Sequence, residues 1–220
     1  MLDMPLWGDF YFMNASAPLM EQMLFFHDHS MIIIIGMTIF LLMSILFMSI
    51  TKKLSMGLME NQFIENVWTL IPMLFLLFIA LPSLRLLYLM EEGFSPILTV
   101  KITGHQWYWS YEYSEFGVSF DSFMQKSDGF RLLETDAYLS LPVSVLVRFL
   151  ISSADVIHSW AVQSLSVKVD AIPGRLNQIN VYLSRPGFYY GQCSEICGMN
   201  HSFMPISIKA MSLGNFLSLF

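Results

Sequence analysis

Met31 to Ile50 reads MIIIIGMTIFLLMSILFMSI, twenty consecutive residues without a charge. A helix needs about 20 apolar residues to cross the ~30 Å hydrocarbon core of a bilayer, so this run matches a membrane span. Val67 to Leu84, VWTLIPMLFLLFIALPSL, adds eighteen more before Arg85. The LLYLM that follows lets that arginine snorkel towards an interface. Pro72 and Pro82 would kink a soluble helix, but transmembrane helices tolerate them. A buried helix in a large soluble core is the alternative for each run. The composition weighs against it: 55% hydrophobic and 13% charged, where soluble domains carry about 25% charged residues. Thirty mostly uncharged residues precede the first run, and it exceeds the ~7–15 residues of a signal-peptide core, so it reads as a span and not as a cleaved leader. A two-helix transmembrane hairpin is therefore expected within residues 1–90, with spans at about 26–50 and 65–88. Lys52 and Lys53 place the linker on the inner side, against Glu60 and Glu65.

From Glu91 onward the texture changes. LTVKITGHQWYWSYEY, RLLETDAYLSLP, VSVLVRFLI, QINVYLS and MPISIKAMS are short runs of β-branched and aromatic residues, separated by Gly, Pro, Ser or Asp. Such spacing predicts an antiparallel sandwich or small barrel over residues 91–220. The fold class expected is thus a membrane α + β protein. A formal net charge of −6 argues against nucleic acid as a partner, because phosphate binding needs a basic surface. With only two cysteines, no disulfide framework staples the fold.

Both cysteines lie in GQCSEICGMNHSFM, Gly191 to Met204. Cys193 and Cys197 are spaced C-x3-C, whereas thioredoxin-like pairs and most zinc knuckles prefer C-x2-C. His201 and Met204 follow closely, and SSADVIHSWAV upstream puts His158 in a second loop, just after a predicted strand end. Thiolate and thioether ligands are soft and select copper, which imidazole also suits. One Cys with two His and a Met would describe a mononuclear blue-copper site. Here there are two thiols, and a thiolate can bridge two metals, so the set suits a pair of copper ions. A disulfide remains the alternative for two cysteines of an exported domain. For Met204 it is core packing, and for either histidine an ordinary hydrogen bond.

GQCSEICGMNHSFMP, DVIHSWAV, KVDAIPGRLNQ, GHQWYWSYEY and IALPSLRLLYLM together resemble mitochondrial cytochrome c oxidase subunit 2, from FHDHS near the N-terminus to about Ile208. The resemblance implies a cupredoxin-like Greek-key β-sandwich holding the binuclear copper centre CuA. It implies that Cys193 and Cys197 bridge the two coppers, that His158 and His201 each cap one, and that Met204 and the Glu195 carbonyl are weaker ligands. The Glu195 carboxylate would reach a Mg2+ shared with subunit 1, in keeping with the preference of that hard ion for oxygen. Trp107 would receive electrons from cytochrome c, with Tyr108 beside it. Asp170 and Arg175 would face subunit 1, and Glu65 would mark a proton-channel mouth. No metal role follows for His27 or His29.

The implied protein is the electron-accepting subunit of a proton-pumping oxidase in the mitochondrial inner membrane. Its β domain and both termini would lie in the intermembrane space, with further oxidase subunits as partners. The basic cytochrome c would dock on the acidic window Glu112–Asp136, where Glu112, Glu115, Asp121, Asp128, Glu134 and Asp136 face only Lys126 and Arg131. Gly117 and Val118 stand where several relatives carry further acids. Two other classes share parts of this pattern. A membrane-tethered copper-delivery protein also uses C-x3-C plus His, but typically has one span and a proline after the second Cys. Quinol oxidase subunit 2 shares the scaffold without the copper ligands.

Overall fold

The structure, a computed structural model, describes residues 2–3, 8, 10–51, 57, 59–91, 95–126 and 129–220. Lys52 and Lys53 of the linker and Asp128 of the acidic window lie outside the described residues. The chain divides into two compact units, residues 22–90 and residues 1–21 with 91–220.

The first unit is helical. Helix α1 (Pro18–Ile50) and helix α2 (Gln62–Glu91) contain the two apolar runs. Each outlasts its expected span, because good helix starts lie further upstream. Pro18 suits a first helical position, and the Asn61 side chain accepts the Phe63 and Ile64 N–H groups as an N-cap. Neither helix has a polar face: Ile32, Phe40, Phe47, Phe63, Trp68 and Leu76 are all exposed. In water that surface would be untenable, so these are membrane helices. The hydroxyls of Thr38, Ser44, Ser49 and Thr51 donate to carbonyls four residues back at 2.7–2.8 Å. They therefore need no water.

Pro82 has no N–H to give the Phe78 carbonyl, yet α2 runs through it. His29 Nε2 on α1 lies 3.1 Å from that carbonyl and supplies the missing donor. The histidine that carried no metal role is an interhelical tie. Interhelical hydrogen bonds of this kind are worth about 1 kcal/mol. We expect His29→Leu to cost roughly that much in a detergent-unfolding titration. It should cost almost nothing in a Pro82→Ala background, where the substituted residue restores the N–H. An equal cost in both backgrounds would remove the tie.

The second unit is a two-sheet sandwich. Its strands are β1 (Leu2–Asp3), β2 (Leu98–His105), β3 (Tyr108–Tyr113), β4 (Val118–Ser122), β5 (Leu139–Pro142), β6 (Leu146–Ser153), β7 (His158–Val162), β8 (Val167–Ala171), β9 (Asn177–Tyr182), β10 (Gly187–Cys193) and β11 (Pro205–Met211). One sheet runs β5-β11-β10-β7-β8, with β1 also on β10, and the other runs β4-β3-β2-β6-β9. Alternation buries one side of β2, β3 and β6. Val100 and Ile102 of β2, Trp109 and Tyr111 of β3, and Phe149 and Ile151 of β6 meet Trp160, Tyr189 and Ile208 of the facing sheet.

The sandwich is mixed where an antiparallel one was expected. The chain crosses to the other sheet through β5 before β6 returns to the free edge of β2, so β2 and β6 run parallel, as do β5 and β11. Only Leu139–Pro142 of RLLETDAYLSLP is a strand, since residues 131–133 turn and Leu132 adopts a left-handed conformation with φ 64°.

Candidate metal centre

Two adjacent strands and one loop build the site. Strand β10 ends on Cys193 and pairs with β7, Cys193 opposite Trp160, which brings His158 at the start of β7 alongside. His158 is thus not the loop residue expected but the first residue of a strand, fully buried. Beyond Cys193 the chain loops out and returns through a 3-10 turn, His201–Phe203, to Met204 and then β11. The loop is fastened at both ends: Ser194 N–H donates to the Ser159 carbonyl at 2.9 Å and Cys193 N–H to the Met204 carbonyl at 3.4 Å.

The six candidate ligands converge. The cysteines are free, with their sulfurs 3.9 Å apart. Cys193 Sγ lies 3.9 Å from His158 Nδ1 and 3.4 Å from the Glu195 carbonyl oxygen. Cys197 Sγ lies 3.5 Å from His201 Nδ1 and 3.5 Å from Met204 Sδ. The donor atoms of His158, Cys193 and Cys197 all fall within 4.8 Å of one another, in a cluster able to hold a metal. Each sulfur has an imidazole and a further donor beside it, and His201 also reaches the Cys193 thiol, so the donors surround the thiol pair on both sides. That soft donor set fits copper. Met199, 85% exposed, stands apart from it.

Charge separates the two thiols. Burial pushes the Cys193 thiol up, but the His158 imidazole and the Glu195 and Ser159 backbone outweigh it and hold Cys193 below its usual range. Burial raises Cys197, and the Cys193 thiolate beside it raises it further. His158 is depressed by burial, then lifted above its ordinary value by Cys193 and Asp155.

Sequence reasoning missed two supports. Asp155 Oδ1 lies 2.8 Å from His158 Nε2, which leaves Nδ1 facing Cys193. Such a carboxylate fixes the ring's tautomer and orientation. Its signal was present in DVIH, an acid three residues before a candidate ligand. Gly104 is the second support: a Cβ there would come 2.8 Å from His158 Cδ2 and 3.1 Å from Trp109 Cζ3.

The other expected residues occupy varied places. Trp107 lies in the turn between β2 and β3, half-buried against the core. Tyr108 is stacked between His105 and Phe123, with ring centroids at 4.6 and 4.4 Å. The acids of the window divide. Glu112 pairs with Lys101 at 3.5 Å and Glu115 accepts the Thr99 N–H, at the end of β3 remote from Trp107. Asp121 opposes Ser110, and Asp136 accepts the Phe123 N–H, nearer Tyr108. Glu134 accepts the Phe130 N–H. Glu195 is half-buried. Asp170 pairs opposite Ser159 on β8, and Arg175 follows the turn at Gly174. Glu65 sits in the first turn of α2, in the helical unit.

Comparison with known proteins matches this layout. The family described as "Cytochrome C oxidase subunit II, periplasmic domain" matches residues 98–211, and its transmembrane-domain counterpart matches residues 5–86. Cytochrome c oxidase subunit 2 of Choristoneura rosaceana is 52% identical over 224 residues, covering 98% of this chain and 97% of that relative. The chain belongs to the cytochrome c oxidase subunit 2 family. Another member, from Rhipicephalus sanguineus, is 53% identical over 217 residues, covering 96% of each. The crystal structure of the periplasmic domain of subunit II (CoxB) of Bradyrhizobium japonicum is 43% identical with a TM-score of 0.57, covering 58% of this chain and 94% of that one. The same domain in a mixed disulfide with the thioredoxin-like TlpA is 42% identical with a TM-score of 0.53, covering 59% and 92%. Cytochrome c oxidase subunit 2 is a component of an oxidase complex, so the copper-delivery reading is disfavoured.

The close approach at Gly104 yields a prediction. Gly104→Ala should displace the His158 ring and lower copper retention by about 10–100-fold in a chelator competition, as loss of a ligand's support does. Unchanged retention would show that the ring is not held there.

Proposed function

We propose that this chain receives electrons one at a time from reduced cytochrome c and passes them to haem in subunit 1 of the oxidase, through a binuclear CuA centre. The observation that carries the reading is the pair of unbonded thiols 3.9 Å apart, with an imidazole beside each sulfur. Cys193, Cys197, His158, His201, Met204 and the Glu195 carbonyl would together hold the copper pair. Bound there, a copper pair would take up and release one electron shared over both metals.

The chain's own residues do the rest. Burial of Cys193, Cys197, His158 and Met204 excludes water from the donors. The paired strands and fastened loop keep the ligand positions fixed, which limits the rearrangement each transfer requires. Asp155 holds the His158 ring so that Nδ1 faces the thiols. Trp107 lies at the rim as the point where electrons enter, and Tyr108 forms part of the surface against which cytochrome c docks. Of the acids in the Glu112–Asp136 window, Asp121 and Asp136 are best placed to steer that basic partner, since Glu112 and Glu115 lie at the far end of β3.

The Glu195 carboxylate makes no hydrogen bond or ion pair among the described residues and would be an oxygen donor for Mg2+ shared with subunit 1. Glu65 stands at the inner mouth of a proton path. The membrane is the mitochondrial inner membrane, with the β domain and both termini in the intermembrane space.

In the assembled oxidase, Trp107→Ala should slow electron transfer from cytochrome c more than about tenfold while the copper absorption spectrum is retained. An unchanged rate would refute its role. Glu65→Gln should slow turnover at constant copper content, and unchanged turnover would remove it from the proton path.

A further inference from the structure

We propose that Gln106 is a positioning residue that seats the Trp107 ring on Gly198, against the Cys197 half of the site. The inference rests on the reading of Trp107 as the point where electrons enter. The turn that joins β2 to β3 is only two residues long, Gln106 and Trp107. It is tied to the metal centre at three points.

The Gln106 main-chain N–H donates to Asp155 Oδ2 at 2.6 Å, while the other oxygen of that carboxylate lies 2.8 Å from His158 Nε2. The Gln106 side chain donates through Nε2 to the Cys197 carbonyl at 2.8 Å, a contact across 91 residues of sequence. The third tie is steric. A Cβ on Gly198 would come 3.0 Å from Trp107 Cζ2 and 3.3 Å from its Nε1, and Gly198 has φ +126°, a conformation that L side chains rarely adopt. The indole therefore lies directly over the backbone that follows Cys197.

The ring cannot orient itself. Trp107 Nε1 is buried and has no hydrogen-bond partner among the described residues. Its placement depends on the turn that carries it and on the flat seat at Gly198. Asp155 ties the turn to the His158 half of the site, and Gln106 ties it to the Cys197 half. Of these tethers only the Gln106 side chain is free of any candidate ligand side chain, so it can be removed without touching the donor set.

Gln106→Met keeps the length and neutrality of the side chain and deletes the donor. In the copper-loaded oxidase complex, flash-initiated electron transfer from bound cytochrome c should fall about three- to tenfold, the effect of losing one such hydrogen bond. The copper absorption spectrum and the salt dependence of cytochrome c binding should stay unchanged. In the same complex without cytochrome c, amide hydrogen exchange at residues 106–108 should accelerate.

A slower rate without faster exchange, faster exchange without a slower rate, or a change in binding alone would each overturn the proposal. Trp107→Ala measured alongside separates the two readings. If Trp107→Ala transfers at the wild-type rate, the parent reading fails. If Trp107→Ala is slow while Gln106→Met is neither slow nor loosened, only the seat fails.

Discussion

Two buried thiols held 3.9 Å apart set the terms for this molecule. At an effective dielectric of about 20, two thiolates at that distance repel by about 4 kcal/mol. The protein helps only one of them to ionise: His158 and nearby backbone draw Cys193 down, and the resulting charge pushes Cys197 up. Full ionisation of the pair therefore calls for positive charge between the sulfurs. The neighbouring donors are two imidazoles, a thioether and a carbonyl, none of which is a fixed cation. The His158, Cys193 and Cys197 cluster can hold a metal ion, which would supply that charge, and the softness of the donors suits copper.

The rest of the β unit meets that constraint. Cys193 and His158 sit at the ends of paired strands, where the ladder fixes their backbones. Met204 leads directly into β11, and the loop between is closed by bonds at both ends. Around this frame lies a layer that binds no metal itself: Asp155 on the His158 ring, Gly104 beneath it, and Gln106 on the Cys197 carbonyl. The helical unit answers a different constraint, the absence of water in the bilayer. Hydroxyls bond back along α1, and His29 meets the carbonyl that Pro82 leaves without a donor.

Much of this was legible in the sequence because it rests on local pattern. Uncharged runs gave the two helices, and alternation around Val100, Phe149 and Ile208 gave a sandwich. The candidate ligands could be picked out because softness is a property of residue type. What could not be read were relations between distant segments. The parallel pairing of β2 with β6 follows from a crossing between sheets, which leaves no trace in either strand. His158 follows the end of the VSVLVRFLI run in sequence, and the strand it opens is defined by its pairing with the distant β10. The roles of Gln106, Gly104 and Gly198 depend on which segments approach within a few ångströms in space. The acidic window reads as one face when charge is counted along the chain, whereas the fold puts Glu112 and Glu115 near the end of β3 remote from Trp107 and Asp121, on β4, opposite Ser110.

The central claim is that the paired thiols organise one electronic unit from two metals. Electron paramagnetic resonance of the oxidised, copper-loaded oxidase tests it most directly. The account predicts a signal in which one unpaired electron couples equally to two copper nuclei, lost together in Cys193→Ser and Cys197→Ser. A four-line pattern from a single copper, or a chain isolated with Cys193 and Cys197 joined as a disulfide and no copper signal, would contradict it.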